Sequence, residues 1–197
     1  VYDRYATEKT SDLAELKRIF AGMESFFHGA SSGIDPLTSY LGMPLRIHDK
    51  TQVATVQPAQ WAADAPLVFL VDTQQPRRTG PLVQWFLERS GTADFGGALE
   101  QTYLPAHEQL VEGWLRADPL LFWPNLERAS QFQFEHFEPM IPAGIRPLWQ
   151  RSLERPGVSL KICGAGGGGF LLGFARSKAE AEALCQGWET IFLPPNP

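Results

Sequence analysis

Lys161-Ile162-Cys163-Gly164-Ala165-Gly166-Gly167-Gly168-Gly169-Phe170 places five glycines in six consecutive positions. Glycine gives up the most backbone entropy on ordering and has no side chain to bury, so a cluster inside a folded region marks backbone that something approaches closely. The flanks Val158-Ser159-Leu160-Lys161-Ile162 and Phe170-Leu171-Leu172-Gly173-Phe174-Ala175 read as neighbouring buried strands, which separates the run from a flexible linker. A functional loop is expected here, although glycines alone name no ligand.

Upstream, Leu67-Val-Phe-Leu-Val-Asp72 is a short continuous apolar run, the pattern of a strand covered on both faces. The turn Pro76-Arg77-Arg78-Thr79-Gly80 leads to a helix carrying Leu82, Trp85, Phe86 and Leu87. Longer helices are expected over Phe95 to Ala117 and Pro119 to Phe137, and another over Ala143 to Leu153, punctuated by Pro105, Pro119, Pro124 and Pro142. A short helix over Ser177 to Gln186 and a strand over Thr190 to Leu193 complete the order β, helices, β, β, α, β, which suits an α+β layered sandwich.

The first part reads differently. Asp12-Leu13-Ala14-Glu15 has the form of a capping box, and Leu13, Leu16, Ile19, Phe20, Met23 and Phe27 recur at helical spacing, predicting a helix from Asp12 to Phe27 that ends at His28-Gly29. Residues 44–47 and 52–56 form a strand pair, and the lapse of pattern from Gln57 to Pro66 marks a domain boundary, giving domains 1–62 and 63–197.

At 197 residues, 44% hydrophobic and 20% charged, the chain is a soluble globular protein with material for one good core or a core and part of another. No apolar stretch approaches the roughly 18 residues of a membrane helix and no export signal opens the chain, so no membrane partner and a cytoplasmic location are expected. A net charge of −5 without a dense Lys/Arg cluster argues against nucleic acid. Cys163 and Cys185 have no CxxC or zinc spacing and read as reduced structural thiols, and His48, His107 and His136 as incidental.

Two acids stand out. Glu24 lies one turn after Phe20 and projects beside the apolar stripe, where a carboxylate wants a cation. Asp35 follows Ser31-Ser32-Gly33 and precedes Pro36, on a restricted segment that can aim a side chain; capping a helix over Leu37 to Leu41 is an equally good reading.

Glu24-x3-His28-Gly29-x2-Ser32-Gly33-x-Asp35 resembles the second motif of the GHMP small-molecule kinases, and Lys161-x2-Gly164-Ala165-Gly166-Gly167-Gly168-Gly169 resembles their third. Between them, Asp72-Thr73-Gln74-Gln75-Pro76-Arg77-Arg78-Thr79 is similar to a segment of the mevalonate kinase branch. The resemblance implies the end of a ribosomal protein S5 domain 2-like N-terminal domain followed by a ferredoxin-like α/β sandwich. The family's first motif, a Gly-Ser-Ser phosphate loop, does not occur in this sequence, so the chain is expected to match the C-terminal two-thirds of such a kinase and to pair with a complementing N-terminal segment or a second copy.

By the same resemblance, ATP and Mg²⁺ are the cofactors and an alcohol such as mevalonate is the substrate. Glu24 would hold the metal, Asp35 would take the hydroxyl proton, and Arg77, Thr79, Ser32 and Gly33 would face the acceptor. Gly164, Ala165, Gly166, Gly167 and Gly168 would form a wall beside substrate and phosphates, with no part in proton transfer. His28 and Gly29 would shape the helix end. Another acceptor of the same superfamily (a sugar, homoserine or phosphomevalonate) and a non-catalytic binding unit of the same fold are the alternatives.

Overall fold

Asp12 starts the first long helix as its spacing predicts: its side chain accepts the Glu15 N–H at 2.7 Å. The reciprocal half of the box is filled differently, because the Asp12 N–H goes to Thr10 Oγ1 at 3.1 Å. The computed structural model describes residues 2–29, 31–49, 52–62, 64–76 and 79–194, and for His28 and Thr79 the backbone alone. It divides into two units, Val1–Pro58 and Ala59–Pro197.

The first unit contains α1 (Tyr2–Tyr5), α2 (Leu13–His28), α3 (Ile34–Leu41) and the antiparallel pair β1 (Leu45–Ile47) and β2 (Val53–Thr55), in the register Leu45 opposite Thr55. Tyr2, Leu16, Phe20 and Leu37 form its buried cluster. The apolar stripe of α2 outruns that cluster. Phe26 and Phe27 are 85% and 76% exposed, so the far end of the predicted stripe is not core.

The second unit contains β3 (Leu67–Asp72), α4 (Thr79–Ser90), α5 (Ala93–Ala98), α6 (Leu104–Arg116), α7 (Pro119–His136), α8 (Arg146–Leu153), β4 (Val158–Ile162), β5 (Phe170–Ala175), α9 (Lys178–Leu184) and β6 (Thr190–Phe192). The predicted order of elements is the observed one. The strands form one antiparallel sheet in the order β4-β5-β3-β6, an α+β arrangement. On one face Phe69, Val71, Leu160 and Leu171 pack with Leu148 and Trp149 of α8 and Leu184 of α9. On the other, Val68, Leu172 and Phe174 meet Leu110 of α6 and Phe122 and Leu126 of α7.

An open strand edge needs partners for its N–H and C=O groups, and α7 supplies them to β4. Ser130 Oγ donates to the Leu160 carbonyl at 2.6 Å and receives the Trp149 Nε1–H at 3.0 Å, while Gln133 Oε1 accepts the Ile162 N–H at 2.9 Å. The strand that leads into the glycine run is therefore fixed along its outer edge.

The single helix expected over Phe95 to Ala117 is instead α5, a π-helical turn at Leu99–Tyr103, and α6. Pro105 has no N–H to return to the carbonyl four residues back, and it follows this wider turn, where that bond is already interrupted. Among the described residues, no helix is long and apolar enough to cross a membrane.

Candidate functional site

The end of α2 and the start of α3 are joined by serine hydroxyls. Gly29 closes α2 by donating its N–H to the Ser25 carbonyl at 3.0 Å. Ser25 Oγ donates to the Ala21 carbonyl at 2.6 Å and accepts the Ser31 N–H at 3.2 Å. Ser31 Oγ then donates to a Glu24 carboxylate oxygen and accepts the Gly33 N–H at 3.0 Å. Ser31 is thus the centre of the segment, tying the half-buried Glu24 to the turn before Asp35. Its signal in the sequence was only a serine after a helix end, which spacing alone does not raise above its neighbour Ser32. Ser32 Oγ accepts the Ile34 N–H at 3.4 Å.

Gly33 has a structural reason to be glycine. It is buried at φ +74°, and a Cβ there would come within 2.8 Å of the Ala21 N and closer still to the Lys17 carbonyl. The start of α3 consequently lies directly on α2. Gly33, not Asp35, is the capping residue of α3, so the capping reading of Asp35 is overturned and the helix begins three residues earlier than expected. Asp35 sits in the first turn, exposed, with no hydrogen bond or ion pair among the described residues. Pro36 is tolerated beside it because the first helical turn has no use for its missing N–H.

In the second unit the glycine run is approached closely by the chain itself. A Cβ on Gly166 would lie 2.8 Å from Ile162 Cγ2 and closer to the Met140 carbonyl, and one on Gly168 would lie 2.6 Å from the Pro76 carbonyl and 2.7 Å from that of Gln75. Gly164, Gly166, Gly167, Gly168 and Gly169 all have positive φ. Gly167 donates its N–H to the Met140 carbonyl at 2.7 Å, and Gly169 to that of Gln75 at 2.8 Å. Intramolecular packing thus explains a feature that the residues alone assign to access. Ala165, the one position of the six with a side chain, is half-buried.

These bonds bring two predicted segments together: the loop at 164–169 and the turn after β3 that leads to Arg77 and Thr79. Arg77 lies outside the described residues. Thr79 begins α4.

Lys161, at the entrance to the loop, donates from Nζ to the Ile162 carbonyl at 3.1 Å. Burial pushes its pKa down, with the Cys163 sulfur opposing. The pKa of His107 on α6 is lowered first by burial and then by the Lys161 charge, with Glu108 opposing. Lys161 opens the third motif, but its coupling to His107, which reads as incidental in the sequence, could not be read because strand and helix are far apart in the chain. Cys185 is buried and its thiol pKa is raised by burial, whereas Cys163 is exposed; neither forms a disulfide. No group of three or more His, Cys, Asp or Glu able to hold a metal occurs among the described residues.

No family model matches the sequence, and no curated protein matches it. Solved structures do. L. major mevalonate kinase in complex with R-mevalonate aligns at TM-score 0.64 and 18% identity, covering 85% of this chain and 51% of that one. Streptococcus pneumoniae phosphomevalonate kinase in complex with phosphomevalonate and AMPPNP aligns at 0.54 and 17%, covering 74% and 44%. Lactococcus lactis galactokinase complexed with galactose aligns at 0.59 and 16%, covering 94% and 59%. The chain therefore spans between 44% and 59% of the length of these kinases. What it shares with them is the architecture, and the fold of this chain is that of the GHMP small-molecule kinases.

Proposed function

We propose that this chain is part of an ATP-dependent kinase that transfers the γ-phosphate to an alcohol, with mevalonate as the acceptor. The observation that supports it most is the docking of the glycine loop on the turn after β3, through Gly169 and Gln75, within a fold shared with kinases of this kind. Those are two of the segments that carry the sequence resemblance. They are far apart in the chain.

In this reading Asp35 accepts or orients the acceptor hydroxyl proton, and its exposure in the first turn of α3 leaves the carboxylate free to do so. Glu24 offers a carboxylate oriented by the Ser31 hydroxyl. That matches the one or two carboxylates Mg²⁺ takes when phosphates supply further oxygens, so the residues fit a nucleotide-bound Mg²⁺. Bound there, the metal would neutralise charge on the transferring group. Arg77 would meet an acceptor carboxylate with paired hydrogen bonds, Thr79 and Ser32 would add short polar contacts, and Gly33 would hold the segment down on α2. Gly164 to Gly168 would wall the site without moving a proton.

ADP formation from ATP and mevalonate, measured by a coupled assay on the intact protein, tests the reading. Asp35→Asn should lower kcat by a factor on the order of 10²–10⁴. Unchanged turnover in that variant removes Asp35 from the mechanism, and turnover with galactose, homoserine or phosphomevalonate but not mevalonate changes the acceptor. A non-catalytic unit of the same fold is favoured by one observation, that the chain's own backbone fills the space beside Gly166 and Gly168. Mevalonate binding by calorimetry without ADP formation would select it.

A further inference from the structure

Thr73 is 5% exposed and follows the last residue of β3. Its backbone N–H and its hydroxyl both donate to one acceptor, the Gly169 carbonyl, at 2.8 and 2.7 Å. The same hydroxyl accepts the Gln75 N–H at 3.4 Å, and the Gln75 carbonyl takes the Gly169 N–H at 2.8 Å. Two residues of the turn and one of the loop are thus bonded in both directions around a single hydroxyl. Gly168 rests on the Gln75 and Pro76 carbonyls directly beside this knot. The next residue in the sequence is Arg77.

We propose that Thr73 is a positioning residue: by closing its N–H and hydroxyl on Gly169, it fastens the glycine loop to the turn that leads to Arg77 and sets the acceptor side of the site. The consequence for the acceptor rests on the kinase reading above. The fastening itself rests on the geometry alone. Replacing this hydroxyl by an apolar isostere removes one of the two donors on the Gly169 carbonyl and the acceptor of the Gln75 N–H, and a misplacement of about 1 Å far from the chemistry is enough to disturb a reacting geometry.

The test compares Thr73→Val, which keeps the shape and loses the hydroxyl, with Thr73→Ser, which keeps the hydroxyl. On the intact protein, Thr73→Val should raise the KM for mevalonate about tenfold, the equivalent of one net hydrogen bond, and leave the KM for ATP within about twofold; Thr73→Ser should restore the acceptor KM. A parallel rise in both KM values, or a valine variant with unaltered acceptor KM, overturns the proposal. Amide hydrogen exchange supplies a readout that needs no turnover. Exchange at Gly167 and Gly169 should accelerate in the valine variant and recover in the serine variant, with β4 and β5 unchanged. If the unsubstituted protein phosphorylates no alcohol, the kinase reading falls. The exchange data then decide the fastening by themselves: unaltered rates at Gly169 overturn it, and serine-rescued acceleration sustains it.

Discussion

Residues 2–58 and residues 59–194 solve the same problem with very different amounts of material. In the first unit one small cluster, Tyr2, Leu16, Phe20 and Leu37, holds three helices and a hairpin, and the start of α3 lies against the α2 backbone through Gly33. In the second, both faces of a four-stranded sheet are covered by helices and α7 seals the β4 edge with Ser130 and Gln133. Small cores leave little reserve, because buried area falls faster than chain length as a domain shrinks. Glu24 and Asp35 therefore lie on the unit with the smaller core and the glycine loop on the unit with the larger one, so comparable insults to each should have unequal results.

The largest effect is expected at Gly33. Alanine there must adopt φ +74° and drive a Cβ against the Lys17 carbonyl and the Ala21 N, both backbone atoms that cannot turn aside. Left-handed strain and overpacking together cost about 3 kcal/mol or more, enough to separate α3 from α2. Limited proteolysis should cut Gly33→Ala within residues 2–58 while the second unit stays resistant. Resistance equal to that of the unsubstituted protein would show that the first unit has more reserve than its core suggests.

Gly168→Ala poses the same insult to the second unit. Its Cβ would meet the Gln75 and Pro76 carbonyls at 2.7 and 2.6 Å, yet the affected backbone is a loop, able to lift away without disturbing the sheet. A loss of about 1–2 kcal/mol is expected, confined to the loop and the turn after β3. Chemical denaturation should show a modest shift of midpoint, and hydrogen exchange should place it at 164–169 and 73–76. Global unfolding of Gly168→Ala would abolish the contrast between the units.

The contrast also explains what the sequence makes legible. Apolar runs and periodicity located β3, β4, β5 and α7 because a well-filled core enforces its pattern residue by residue. The same reading extended the α2 stripe to Phe27, which lies beyond the buried cluster and is 76% exposed. The glycines were conspicuous as residues, but their cause was hidden: the carbonyls of Met140, Gln75 and Pro76 that crowd Gly166 and Gly168 arrive from elsewhere in the chain. Asp35 could not be separated from a capping role until Gly33 was seen to hold that position. Thr73 and Ser31 act through partners that no local pattern announces.

The smallest effect is expected at Lys161, and it is a gain. Its side chain is half-buried, its pKa is lowered by that burial, and its amine donates to the adjacent Ile162 carbonyl, not to a carboxylate. A native pKa below the unfolded one means that the unfolded chain binds more protons between the two values, so stability rises as pH climbs toward the ordinary lysine range, and below the lowered value the charge is a fixed penalty. Lys161→Met keeps the stem and removes the charge; it should stabilise the second unit by about 1 kcal/mol at neutral pH and flatten the rise on the alkaline side. His107 gives an independent check. Its pKa is held down by burial first and by the Lys161 charge second, so native stability falls as pH drops through the usual imidazole range, and in Lys161→Met the imidazole should titrate higher by NMR while remaining below its ordinary value. An unmoved His107 titration would mean that the two bases do not sense one another. A destabilised Lys161→Met would mean that the ammonium supports the glycine loop through the Ile162 carbonyl, and the more strongly packed unit would then depend on a single polar contact as Gly33 makes the weaker one depend on a missing methyl.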